Sequence, residues 1–166
     1  MARNFTLHFD PDSLVPDSTS HPDRGVVQHR HFWGFDAATV ETLRTKQFAF
    51  PDEYTGSGTL KADVYYIMES ATSGSVDWEV SVEAITEADA VDLDSAESFD
   101  TANAGNETVP ATAGYLAVMT ITLTNKDSVA SGDFVRMKVE RDADDGTNDT
   151  ASGDARLLGV EIYEET

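Results

Sequence analysis

The segment VDWEVSVEAI, residues 76–85, places Val76, Trp78, Val80, Val82 and Ala84 alternately with Asp77, Glu79, Ser81 and Glu83. A β-strand turns successive side chains to opposite faces, so strict period-two alternation gives one apolar face and one acidic face. No helix can gather those five apolar residues into one stripe. The segment therefore predicts a half-buried strand with carboxylates on its outer side.

The same period recurs along the chain. Phe5, Leu7 and Phe9 share one face of a first strand over 4–9, and HRHFWGFD, 29–36, reads as another. AATVETLR, 37–44, reads either as a helical turn or as a strand, and a short strand at 46–50 is ended by Pro51. TLKADVYYIM, 59–68, points Leu60, Ala62, Val64, Tyr66 and Met68 inward. YLAVMTITL, 115–123, is apolar on both faces and predicts a central strand. FVRMKVER, 134–141, turns Val135, Met137 and Val139 inward, and ARLLGVEIYEE, 155–165, turns Leu158, Val160 and Ile162 inward. A weak strand is expected around 103–108. About eight or nine strands with turn-rich loops and almost no helix predict an all-β antiparallel sandwich.

Residues 10–25, DPDSLVPDSTSHPDRG, follow Pro11, Pro16 and Pro22 each with Asp. Proline lacks the ladder donor, so this stretch predicts an extended arm or long loop. The expected division is a first strand plus arm over 1–30 and a β-sandwich over 31–166. A length of 166 residues suits one domain with a core that needs no staples.

Charge narrows the function classes. The chain carries 31 acidic against 11 basic side chains, a net −20. Residues 1–50 hold five basic and six acidic side chains, net −1, so the remainder holds six and 25, net −19. Nucleic-acid binding needs the opposite sign, and an anionic membrane surface repels such a chain. With no cysteine, disulfides and thiolate metal sites are excluded. The start MARNFTLHFD lacks the apolar run of a signal peptide, and YLAVM is far too short to span a bilayer, so a soluble protein is expected. About twenty surplus negative charges destabilise a compact state by self-repulsion, which concentrated salt screens. The Asp-rich, Lys-poor makeup resembles that of proteins from extreme halophiles.

The run from Phe48–Pro51 through ADVYYIMESATSGSVDWEVSVEAI, then ASGDFVRMKVERDADD and ARLLGVEIYE, resembles a jelly-roll β-sandwich domain of structural proteins in tailed viruses. The likeness covers roughly residues 46–165. It implies a jelly-roll-like fold and a non-enzymatic virion role. That role is a capsid decoration (cement) protein on the major capsid protein, made in the host cytoplasm and carried on the capsid surface. A tail fibre or spike module adsorbing to host glycans is the alternative, and the resemblance further implies a homotrimer.

Catalytic signatures are missing. There is no G-x-S-x-G elbow and no phosphate-cradling glycine loop, and abundant carboxylates are what a solvated acidic face presents. A small polysaccharide hydrolase is therefore the least supported class, and no cofactor is expected beyond loosely bound cations. His29 and His31 lie two apart and would share a strand face, which suits either joint metal ligation or plain surface side chains. DADDGTND, 142–149, departs from the EF-hand spacing, because position 6 from Asp142 is Thr147 rather than Gly and position 12 is Gly153 rather than Glu. Asp142, Asp144, Asp145 and Asp149 remain as loose cation candidates. Phe32, Trp33 and Phe35 belong either to the core beside Trp78 or, with Phe5, Leu7 and Phe9, to a partner interface. Interface cores are depleted in charge, so the near-neutral first 50 residues are the expected attached side and the acidic remainder the exposed side.

Overall fold

The alternating runs form strands, and most of them pair with partners distant in sequence. The computed structural model describes residues 1–166. Its strands are β1 (Arg3–Phe9), β2 (Leu14–Pro16), β3 (Asp23–Val27), β4 (Arg30–Phe35), β5 (Glu41–Thr45) and β6 (Phe48–Ala49). They continue with β7 (Thr59–Met68), β8 (Ser75–Ile85), β9 (Asn103–Thr108), β10 (Ala117–Thr122), β11 (Phe134–Arg141) and β12 (Ala155–Glu165). The only helix is a 3-10 turn at Glu87–Asp89. Sheet A has the order β10-β7-β12-β4-β3, with β1 also pairing β12, and sheet B has the order β2-β5-β11-β8-β9, with β6 also pairing β11. All pairings are antiparallel, and the two sheets enclose one core. The all-β sandwich is the expected fold. The ambiguous stretch 37–44 resolves into strand β5.

The core is built from the faces that alternation assigns. Val76, Trp78, Val80 and Val82 of β8 are wholly buried, as are Ala62, Val64 and Tyr66 of β7. Trp78 holds the centre, with Phe35 edge-on at 5.0 Å and Tyr66 at 5.6 Å.

Four local expectations change. First, residues 10–30 are extended but do not form a free arm. Leu14–Pro16 pairs with β5 in sheet B and Asp23–Val27 pairs with β4 in sheet A. Both lie at sheet edges, where a proline costs no ladder bond. Second, a bulge in the β12 ladder between Leu157 and Gly159 reverses the alternation there. Leu157 is buried in place of Leu158, which turns to the outer side, while Val160 and Ile162 regain the interior. Third, β10 is an edge strand rather than a central one. Met119 and Ile121 face the core, but Val118, Leu116 and Tyr115 stay exposed.

Fourth, the acidic outer face of β8 is not solvated. Ser81 and Glu83 are each 2% exposed because residues 97–99 lie over sheet B. The Ser98 N–H donates to Glu83 Oε1 at 2.7 Å, and Glu97 bridges Arg44 and Arg136. The Phe99 ring lies under the cationic groups of Arg136, Lys138 and Arg44. The middle of sheet B is thus covered by the chain itself, while Phe134 at its end stays exposed.

Candidate functional site

The outer face of sheet A has a polar half and an apolar half. In the polar half Asp63 of β7 is 5% exposed and receives hydrogen bonds from Arg3 (2.9 Å), the Thr120 hydroxyl (2.7 Å) and the Tyr163 hydroxyl (3.1 Å). Glu161 receives Arg3 at 3.1 Å and the Tyr65 hydroxyl at 3.0 Å, and Arg3 stacks on Tyr163 at 3.6 Å. These groups satisfy one another. Burial, then the charge and hydrogen bond of Asp63, raise the Tyr163 pKa, which keeps that phenol a donor.

The apolar half is a groove of about 500 Å³. The β3–β4 turn, the end of β7, residues 113–116 and the start of β12 enclose it. Val27, Ile67, Leu116 and Leu158 give it an apolar lining, with Arg30 and Arg156 among its polar groups. Arg156 is tethered by Glu69 and stacks 4.7 Å over the Phe32 ring. Tyr115, next to Leu116, is 64% exposed. The β3–β4 turn holds Gln28 and His29 at positive φ, 47° and 65°, the geometry of a tight two-residue hairpin. Sequence reasoning placed Leu158 in the interior and did not single out Ile67 or Leu116. The available signal was the two-sided apolarity of 115–123, which marks an uncovered edge here.

The proposed interface residues separate. Phe35 and Trp33 are core side chains at 0% and 7% exposure, and the Trp33 indole N–H donates to the Pro11 carbonyl at 2.8 Å. Phe5, Leu7 and Phe9 pack half-buried against the core, Phe5 meeting Phe50 and Tyr54 edge-on. Trp33 and Phe35 thus serve the chain's own interior, Phe5, Leu7 and Phe9 keep part of their surface, and Phe32 lies on the outer face. The histidines do not share a strand face. His29 lies in the turn, whereas His31 on β4 has its Nδ1 3.1 Å from Asp12, which also pairs with Arg24.

At another corner, β8 begins beside the loop that follows β11. Arg141, 0% exposed, donates to both Asp149 oxygens at 2.8 Å. It also donates to the carbonyls of Ala151 (2.9 Å), Gly153 (2.9 Å) and Phe35 (3.3 Å). The charge of Asp149 is therefore already met by a buried guanidinium. Asp142 and Asp145 converge instead on Asp77, which the sequence offered only as one more outward carboxylate. A hydrogen bond with Asp144, then burial and the Glu79 charge, push Asp142 up to about 7. Burial, then Asp145 and Asp149, raise Asp77, and burial, then Glu140, raises Glu79.

No protein-family profile and no curated protein matches the chain. Solved structures do. An arabinose-bound α-L-arabinofuranosidase, MgGH51, superposes with TM-score 0.51 at 10% identity over 96% of this chain and 25% of the other. CBM6cm-2, a carbohydrate-binding module of Cellvibrio mixtus lichenase 5A in complex with cellotriose, gives TM-score 0.49 at 13% identity over 96% and 98%. The C-terminal CBM6 of LamC, a marine laminarinase from Zobellia galactanivorans, gives 0.48 at 12% over 96% and 100%. At 10% identity the arabinofuranosidase superposition shows a likeness of fold alone.

Proposed function

We propose that this chain is a non-enzymatic structural protein of a virion surface, a decoration protein that docks on the major capsid protein through the outer face of sheet A. The observation that carries this reading is the asymmetry of the sandwich. The middle of sheet B is covered by the chain's own residues 97–99, with Phe134 left exposed at one end, while sheet A leaves the larger grooved apolar half open beside a self-satisfied polar half. That open face mixes Tyr65, Phe32, Tyr115 and arginines with aliphatic side chains, the composition enriched at protein interfaces. The near-neutral first 50 residues supply three strands to each sheet, β1, β3 and β4 to sheet A and β2, β5 and β6 to sheet B, so the docking side rests on the groove and not on this charge split. The resemblance to tailed-virus jelly rolls supplies the virion context and the expected trimer, and the acidic surplus suits a saline host.

The test is rebinding to particles stripped of the protein. Leu158→Glu and Leu116→Glu lie at half-buried or exposed positions, so the fold should survive. Each should weaken rebinding about 30-fold, as for an interface hot spot worth ~2 kcal/mol. Rebinding equal to the parent by both variants refutes the assignment. The groove, with Tyr115 beside it, favours a second reading, a fibre or spike module that takes a host glycan on this face. A glycan array and host-cell binding in concentrated salt separate the two readings.

A further inference from the structure

Asp77 stands near the start of β8, and Asp142 and Asp145 follow the end of β11. Backbone hydrogen bonds fix their spacing. The Asp142 N–H donates to the Asp77 carbonyl at 3.0 Å, and the Asp149 N–H to the Asp145 carbonyl at 2.8 Å. The Asp77 N–H donates to Asp149 Oδ2 at 3.1 Å, and Asp149 is itself held by Arg141. In this frame a carboxylate oxygen from each of Asp77, Asp142 and Asp145 lies within 4.8 Å of those from the other two, and the Thr147 and Asn148 N–H groups and the Asn148 amide donate to Asp145, which orients it but leaves its charge unpaired.

A crowd of surface acids means little in so acidic a chain, but Asp77 is not a surface acid. It is 3% exposed, and its Oδ1 is buried with no hydrogen-bond partner. A buried carboxylate oxygen left unpaired costs several times an ordinary hydrogen bond, so native proteins rarely keep one. Nearby cations are already engaged, Arg141 by Asp149 and Lys138 by Glu140 at 2.9 Å. Glu79 and Asp144 add to the negative charge. What would complete this corner is a positive ion.

We propose that Asp77, Asp142 and Asp145 form a calcium site that fastens the loop after β11 to the start of β8. Three carboxylates without imidazole or thiolate suit a hard cation. A Ca–O distance of ~2.4 Å lets ligand oxygens stand up to ~4.8 Å apart across the ion, so three carboxylates gathered this closely can share one cation. Calcium accepts the irregular, partly hydrated coordination that a loop and a strand provide, whereas magnesium demands a tighter octahedron.

The test starts from protein stripped with a chelator and titrated with CaCl2 in about 1 M NaCl, where diffuse attraction is screened. Expected are one saturable ion per chain with an affinity on the order of 10⁻⁵ M and a melting temperature that climbs with calcium. Asp77→Asn should weaken binding at least about tenfold and, in chelator, melt above the parent, because it removes an uncompensated buried charge. Asp145→Asn, on the loop, gives the same loss of affinity should Asp77→Asn not fold. Asp92→Asn, in a distant exposed turn, should bind as the parent does. No saturable binding up to about 10 mM overturns the site, since that lies beyond even weak extracellular calcium modules. So does an equal response to magnesium, or parental affinity in both Asp77→Asn and Asp145→Asn.

Discussion

Asp149→Asn is the most informative single change. It keeps shape and volume but removes the charge facing a guanidinium with no exposed surface. Arginine does not shed its proton in proteins, so the variant must hold an uncompensated buried cation. Breaking a buried pair by removing one partner costs about 3–5 kcal/mol. The lower end applies here, because Arg141 keeps the carbonyls of Phe35, Ala151 and Gly153. A loss of about 3 kcal/mol in a chain of this size lowers the melting temperature by roughly 6–12 °C. Denaturant unfolding followed by tryptophan fluorescence is the assay, since Trp78 and Trp33 are both buried. The midpoint should fall with an unchanged slope. The double variant Arg141→Met/Asp149→Leu should recover part of the loss, limited by the three carbonyls and the Asp77 N–H it orphans, so a cycle with the single variants Arg141→Met and Asp149→Leu should show coupling of about 1–3 kcal/mol. A loss below about 1 kcal/mol for Asp149→Asn, or simple additivity in the cycle, refutes the idea that this clamp organises the loop.

Other consequences follow from the same contacts. Burial pushes Glu164 up, but hydrogen bonds from the Thr55 and Gly58 N–H groups, Asn4 and the Thr55 hydroxyl outweigh it and hold its pKa down to about 2, against 4.5 unperturbed. A depressed folded pKa means stabilisation that is present above pH 4.5 and lost as pH falls toward 2. Glu164→Gln should flatten that part of the stability profile, and an unaltered acid limb would contradict the role. Gly74 sits at φ 89°, and a Cβ there would come within 2.8 Å of the Ala151 backbone. Gly74→Ala should therefore cost more than about 1 kcal/mol in chemical unfolding. Raising NaCl from about 0.1 M to about 1 M shortens the Debye length from ~10 Å to ~3 Å and should raise the melting temperature. A flat response would remove the halophilic reading.

Period-two alternation was enough to assign the long strands, because β7, β8 and β11 keep one face to the core from end to end. It failed where the ladder slips. Nothing local to ARLLGVEIYEE announces the bulge that sends Leu158 outward and Leu157 inward. The two-sided apolarity of 115–123 was plain, yet an edge strand beside a groove and a buried central strand carry the same signature. The prolines at 11, 16 and 22 correctly marked a stretch unfit for sheet interiors, but edge pairing still absorbs it. The acids of 142–149 were visible as a group. That Asp149 serves Arg141 while Asp77, some seventy residues earlier, takes its place could come only from the packing of β8 against β11.

The open face of sheet A is the claim on which the functional account stands. An electron cryomicroscopy map of the assembled particle tests it most directly. The account predicts many copies, each with Ile67, Leu116 and Leu158 turned against a neighbouring shell protein and sheet B turned outward. A map with that groove facing bulk solvent, or with only a handful of copies per particle, contradicts it.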